Sequence, residues 1–394
     1  MKNCWWVKAS IVGMALVGST GAIAQNAKSL RGAYAEALQV GEGDVDPILV
    51  KQAEAMELAK KLEEAIPDDF AGMKVSPSRN FMATVYLKSG DPSVLQKFTG
   101  DPTFKVKGAK RSLNDLRAIL DEARGTLNRS GINYGAFIDL ENQLIQVSVP
   151  DTKDARSLLK TLEDSQRIRL VEEDITAVPT VMAGESATVG SFGCTTGFSV
   201  RHSDGRVGVL TAGHCPDSSM TAGSTSSIAY AGSLFNSTSQ RDLQWHAKAT
   251  GTFTGQIKVT GGTALNVNGF ANSVVGAVIC MNGATSGSRC GKILSLGFSS
   301  NSYELTAPTV SIPVADGVVI EGTTPGTQMC AEGDSGGPVY STTSTSAGNS
   351  LALGTEFAGL ASYRIGTTTP KKFSRCAYVK AVDLQTLNLR LIVQ

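Results

Sequence analysis

The stretch "CAEGDSGGPVY", residues 330–340, sets a serine between an aspartate and two glycines. Three glycines in so short a run weaken a strand or a helix, because glycine loses the most backbone freedom on folding. A chain that keeps them needs a backbone shape that other residues resist. A nucleophilic serine has that need. Its Oγ must be exposed, a base must stand within hydrogen-bond reach, and donors must face the oxyanion that develops. Glycines around Ser335 let a tight loop turn the N–H groups of Gly333 and Ser335 to one side and let a substrate backbone come close. The plain alternative is a glycine-rich hairpin turn.

The base must be a histidine, and the chain has three. His202, in "RHSDGRV", falls in a polar turn and reads as solvent-exposed. His246, in "LQWHAK", reads as a satisfied, partly buried strand residue. His214, in "VLTAGHCPD", ends an apolar strand and adjoins Cys215, whose covalent staple would fix its position. A carboxylate must hold the imidazole's tautomer and orientation. Asp242, in "SQRDLQW", lies between base and nucleophile in the chain, just ahead of an alternating strand, whereas Asp204 and Asp217 read as turn aspartates.

"LTAGHC" and "GDSGGP", in the order His214, Asp242, Ser335, resemble the chymotrypsin-like serine proteases. More narrowly, "CTTGFSVRHSDGRVGVLTAGHC", "CMNGATSGSRCG" and "CAEGDSGGPVY" resemble the secreted bacterial branch of α-lytic protease and the streptogrisins. That resemblance implies a double β-barrel, Ser335 as nucleophile, His214 as general base and then acid, and Asp242 as its orienter. It implies an oxyanion hole at the N–H groups of Gly333 and Ser335. It also implies the pairs Cys194–Cys215, Cys280–Cys290 and Cys330–Cys376, where the spacing of six cysteines alone leaves fifteen connectivities open. Each bond would contribute about 2–4 kcal/mol, largely by restricting the unfolded chain.

The chain departs from the branch in two places. An arginine beside a cysteine of the middle disulfide loop usually holds the aspartate before the nucleophile, and Met281 stands there instead. Asp334 therefore needs another partner, either Arg289 or a freed amino terminus near Val181. The substrate pocket would come from "TQMCAE" and "LASYRIG", with Met329 in its wall and Ser362, Tyr363 and Arg364 along the substrate-pairing strand. No aspartate falls at the pocket base, which argues against a taste for Lys or Arg. Arg364 would attract an acidic side chain or narrow the pocket, or simply face solvent, and self-cleavage after Thr180 would require that a small residue be accepted.

The 394 residues divide in character. Residues 25–180 carry 45 charges in 156 positions and residues 181–394 only 24 in 214, so the boundary falls near "ITAVPTVMAGE". Residues 1–24 read as a secretory signal, with Lys2 and Lys8 ahead of an apolar run and Ala22-Ile23-Ala24 before the cut. An even set of six cysteines in the rest agrees with export. Residues 25–180 read as an α+β pro-region. Asp46 caps one helix with Pro47 at its first position, Ser112 and Asp151 cap two more, and "FMATVYLK", the hairpin "YGAFIDL"/"QLIQVSV" and "RIRLVEE" supply strands. Strand, helix, hairpin, helix, strand resembles a ferredoxin-like split βαβ unit. Residues 181–394 read as all-β, with only the tail "YVKAVDLQTLNLRLIV" free to end in a helix.

The expected protein is a secreted serine endopeptidase made as a pre-pro-enzyme, acting as a monomer on proteins or peptides, with its own pro-region as folding assistant and transient inhibitor. A net charge of +1 points to neither nucleic acid nor an anionic membrane. No C-x-x-C pair or other pattern calls for a metal, nucleotide or redox cofactor. The alternatives are a protease-fold binding protein that has lost catalysis, and an esterase on the same triad.

Overall fold

The computed structural model describes residues 30–173, 177–179, 184–190, 192–223, 225–248, 253–259, 264–301, 313–324, 326–342, 349–360, 363–367 and 369–393. The signal segment, Thr180 with Val181, and Ser362 lie outside the described residues. Among those described, no helix is long and apolar enough to cross a membrane.

The charged half forms helices where its apolar residues recur on one face. Val45–Ala65 buries Leu49, Met56, Ala59 and Leu62, as the spacing predicts. It begins two residues earlier than Asp46 and Pro47 suggest, because a short 3₁₀ turn at Glu42–Asp44 leads into it and Asp46 pairs with Arg31. Leu113–Ser130 starts on a full capping box: Ser112 Oγ accepts the Asp115 N–H while the Asp115 carboxylate accepts the Ser112 N–H. Asp151 caps Thr152–Asp164 in the simpler way, through the Lys153 N–H.

The split βαβ unit is not what forms. Met82–Leu87 joins Phe70–Ser76 and Phe104–Gly108 in a sheet of its own. The hairpin Gly135–Asp139 and Leu144–Val149 pairs on one side with Ile168–Glu172, in parallel. Its other edge meets the long strand Gly287–Ser300 of the second half, with Leu296 opposite Ile138 and Ser300 opposite Gly135. The edge that the first strand would fill is thus taken by the β-rich half.

That half is built from two bodies of mainly antiparallel strands. In the first, Ser199–His202, Val207–Thr211, Gln244–Lys248 and Thr225–Ser233 are neighbours, and Ser186–Val189 and Phe192–Thr195 extend the sheet. The tail does not end in a helix: after the 3₁₀ turn Ala381–Leu387, Leu389–Leu391 returns to pair with Ser199–His202. The second body centres on Val278–Gly283, Gly287–Ser300, Val314–Gly322, Pro338–Ser341, Asn349–Leu360 and Arg375–Lys380. Its core is shared with the charged half, since Leu62, Phe70, Leu116, Ile138 and Ile145 pack with Ile279, Ile293, Val318 and Tyr378. Burying one such side chain contributes about 1.5–3 kcal/mol, so the two halves hold one another firmly. Gln52 reinforces the join: fully buried, it donates to the Val278 carbonyl at 2.6 Å and accepts the Val278 N–H at 2.7 Å.

His246 lies at the centre of the first body, fully buried, with its Nε2 3.2 Å from the Gln244 amide nitrogen and its ring edge-on to Tyr230. Burial pulls its pKa down to about 4, against a backbone hydrogen bond at Ile228 that favours the charged form. An unfolded imidazole titrates near about 6.5. Between those values the unfolded chain binds more protons, so stability is expected to fall as pH drops from about 6.5 toward 4, by up to about 3 kcal/mol. Urea midpoints of the Ser335→Ala chain at pH 7 and pH 4.5 measure that loss, and His246→Gln is expected to shrink it.

Candidate active site

His214 stands just past the strand Val207–Thr211, where the chain leaves the first body in a tight turn. Its Nδ1 is 2.8 Å from Asp242 Oδ2, and its backbone N–H donates to Asp242 Oδ1 at 2.9 Å. A carboxylate only accepts, so Nδ1 carries a proton here. The close approach depends on Gly213: a Cβ there would lie 2.4 Å from Phe235 Cβ and 2.7 Å from the Leu243 nitrogen. Arg241 anchors the other side of the Asp242 loop, 3.3 Å from Asp316 and 3.3 Å from Asp383. Burial would raise the Asp316 carboxyl, but Lys380 and Arg241 together carry it below its ordinary value.

The other histidines take no part. His202 lies beside Asp204 and stacks on Trp245 at 5.4 Å, less exposed than its polar turn suggests. His246 is buried on the strand beyond Asp242.

Ser335 reaches the same region on its glycine-rich loop. Gly333 has φ +109°, a conformation that favours glycine. A Cβ on Gly336 would lie 2.6 Å from Thr211 Oγ1 and 2.5 Å from the Thr195 carbonyl, which sets the serine loop against the strand that leads to His214. Thr195 follows Cys194, and Cys194 is bonded to Cys215, the neighbour of His214. Cys280–Cys290 and Cys330–Cys376 are the other two bonds. Ser335 is buried, and its Oγ donates to the Phe357 carbonyl at 3.2 Å.

Immediately beyond Phe357, Ala358–Leu360 carries an extended segment of the charged half. Pro179 lies opposite Ala358, Val178 opposite Gly359 and Ala177 opposite Leu360, antiparallel. Of the expected substrate strand Ser362–Arg364, Ser362 lies outside the described residues. Arg364 is exposed and bridges Phe373 across a hairpin, and the Tyr363 hydroxyl bonds Glu173 while Arg375 lies over its ring at 3.8 Å. Met329 is buried, with its N–H on the Phe373 carbonyl.

The expected terminus near Val181 lies outside the described residues, and Asp334 does not take Arg289 as its partner. Its Oδ1 accepts the N–H groups of Thr285 and Ser286, both at 3.1 Å, and its Oδ2 accepts the Ala331 N–H at 2.8 Å. Arg289 lies in register with Met281 instead. Burial raises the Asp334 carboxyl above its ordinary value, and these donors work against that rise. The turn "NGATSG", residues 282–287, replaces a cation with main-chain dipoles. Among the described residues, no group of three or more His, Cys, Asp or Glu is placed to hold a metal ion.

A Cβ on Gly283 would lie 2.1 Å from Asp334 Oδ1. Gly283→Ala is therefore expected to push the carboxylate out of its turn and to lower kcat by about a hundredfold, as losing one oxyanion donor does. Steady-state kinetics on a peptide substrate measures this.

No protein-family model matches the chain. Streptogrisin-C of Streptomyces griseus is 28% identical over 336 residues, 78% of this chain, which spans 66% of that protein's length. Serine protease 2 of Streptomyces fradiae is 30% identical over 182 residues, 45% of this chain and 92% of that protein. Among solved structures, Thermobifida fusca protease A is 26% identical, covering 55% of this chain and all of its own, with a TM-score of 0.40. The Nocardiopsis protease NAPase is 23% identical over 54% of this chain and 98% of its own, also with a TM-score of 0.40. Nearly the whole of a named Streptomyces serine protease is thus matched, and the chain belongs to the bacterial chymotrypsin-like serine endopeptidases, in the branch of the streptogrisins.

Proposed function

We propose that the chain is a pre-pro-enzyme whose residues 181–394 become an extracellular endopeptidase, after a signal at 1–24 and a pro-region at 25–180. One observation carries the reading: Ala177–Pro179 lies on Ala358–Leu360 as an extended peptide would, one residue short of Phe357, whose carbonyl holds the Ser335 hydroxyl. On this reading the cut that frees residues 181–394 falls just after this segment, between Thr180 and Val181. A ladder of main-chain hydrogen bonds suits a peptide substrate and offers nothing to a simple ester, which favours proteolysis over the esterase alternative.

In this mechanism Ser335 Oγ attacks the scissile carbonyl and His214 Nε2 takes its proton, while Asp242 stabilises the imidazolium that forms. The N–H groups of Gly333 and Ser335 receive the oxyanion. Collapse expels the amine, protonated by His214, and leaves an acyl-enzyme on Ser335. Water, activated by the same imidazole, then releases the acid.

The pro-region acts as assistant and inhibitor. It fills the strand a substrate needs, and its hairpin pairs with Gly287–Ser300. It also shares the second body's core, which lowers the entropic cost of non-local pairings that form slowly on their own.

Ser335→Ala and Asp242→Asn are expected to lose roughly four decades of kcat on peptides. The serine variant is expected to accumulate uncut at Thr180, as read by N-terminal sequencing. Refolding residues 181–394 with residues 25–180 in trans is expected to raise the yield of active enzyme at least about tenfold. Gln52→Leu in the added pro-region, which strands the Val278 N–H and carbonyl, is expected to remove most of that gain.

A further inference from the structure

This inference rests on the reading of His214, Asp242 and Ser335 as a triad that first cuts its own chain. Asp242 ends a loop that folds back on itself. Gln240 donates its N–H to the Asn236 carbonyl at 2.9 Å, and Arg241 donates its own to the Leu234 carbonyl at 3.1 Å. Just before Asp242 the backbone is strained. Gln240 has φ +54°, in the left-handed region that a residue with a Cβ enters only where its surroundings hold it.

Those surroundings come partly from the β-rich half. The Gln240 carbonyl accepts the Ala315 N–H at 2.8 Å, and its side-chain Nε2 donates to the Ser237 carbonyl at 3.1 Å. Arg241 reaches Asp316, so Ala315 and Asp316 grip Gln240 and Arg241 in turn. A further contact comes from the charged half. Arg124, on the helix Leu113–Ser130, donates from Nη2 to Gln240 Oε1 at 2.6 Å.

The packing of that helix aims Arg124 at the loop. Leu120 stands one turn earlier on the same face and lies against Gly297, where a Cβ would come within 2.8 Å of Leu120 Cδ2. Past the helix, Asn301 of the β-rich half accepts the Tyr134 N–H at 3.0 Å and donates to the Ile132 carbonyl at 2.7 Å. Asp121 takes Arg124 Nη1 at 2.9 Å, which leaves Nη2 to Gln240. The Arg124 side chain is only 19% exposed. Burial pushes the neighbouring Tyr134 hydroxyl up to about 12, and the Arg124 charge works against that rise. A charged donor in such a place bonds more strongly than a neutral one.

We propose that Arg124 is a positioning residue for the first cut: through Gln240 it holds the Asp242 loop in the shape that orients His214 while both halves are still one chain. When the pro-region leaves, Gln240 gives up this donor and the loop is left to Ala315 and Asp316. The pro-region thus steadies the triad from behind while its extended segment occupies Ala358–Leu360.

Two measurements on the full chain test this. In the first, chain folded at about pH 5.5, where a protonated imidazole cannot serve as base, is brought to about pH 8 and the appearance of the new N-terminus is timed. Arg124→Met is expected to slow that first-order step about tenfold, and Arg124→Lys, which restores a charged donor, to recover most of the rate. In the second, the Nδ1–H of His214 is followed by proton NMR in the uncut Ser335→Ala chain. Arg124→Met is expected to shift and broaden that resonance, and Arg124→Lys to restore it. Should Arg124→Met fail to fold, Gln240→Ala removes the same hydrogen bond from the other side and is expected to give the same two changes. A rate left unchanged, a slowed rate with the resonance unmoved, or a loss that lysine does not repair overturns the proposal. A wild-type chain that never cuts itself overturns the self-cleavage reading instead, and the resonance then decides by itself whether Arg124 holds the loop.

Discussion

The site depends on one carboxylate gripping one residue twice. Asp242 takes the backbone N–H and the ring Nδ1 of His214 together, so both the position and the tautomer of the imidazole are fixed by one group. The arrangement needs Gly213, because any side chain there would strike Phe235 and Leu243. It also needs Asp242 to stay in place, and Arg241, tied to Asp316 and Asp383, anchors the loop from behind. The Cys194–Cys215 bond fastens the turn after His214 to the strand that touches the serine loop. Base and nucleophile loops come from different β-bodies, so their meeting is a property of the whole fold.

A second constraint comes from the strand Asn349–Leu360. It pairs with Pro338–Ser341 and Arg375–Lys380, and it carries Ala177–Pro179 at its far end. Ser335 bonds to a carbonyl on the same strand. The charged half lies along its far end while packing its own core into the second body. Contacts between residues distant in sequence form more slowly than local ones, and the last strand of the β-rich half returns to lie beside Ser199–His202.

The residues of the proposed triad stand out in the sequence because side chains carry the signal. "GDSGGP" and "LTAGHC" hold residue types that the chemistry cannot exchange, and Asp242 stood alone between them outside an obvious turn. The cap on Asp334 was hidden because its donors are backbone N–H groups, which leave no residue-type signature; only the turn residues of "NGATSG" hinted at a concave main chain. The pairing of Ala358–Leu360 with Ala177–Pro179 was not legible, because no residue type in "FAGLASYRIG" names the partner of its backbone. The pro-region's helices followed from caps and apolar spacing, yet its sheet did not. A hairpin edge does not announce its partner, and here the partner lies more than 150 residues away in the other half.

The central claim is that Ser335, activated by the His214–Asp242 pair, becomes a nucleophile in a chain cut after Thr180. Peptide mapping by mass spectrometry of the secreted protein after treatment with a fluorophosphonate tests it most directly. The account predicts a single adduct, on Ser335, in a chain that begins at Val181, with none formed when His214 is replaced by alanine. An adduct on another serine, or an intact chain that shows no adduct at all, would contradict it.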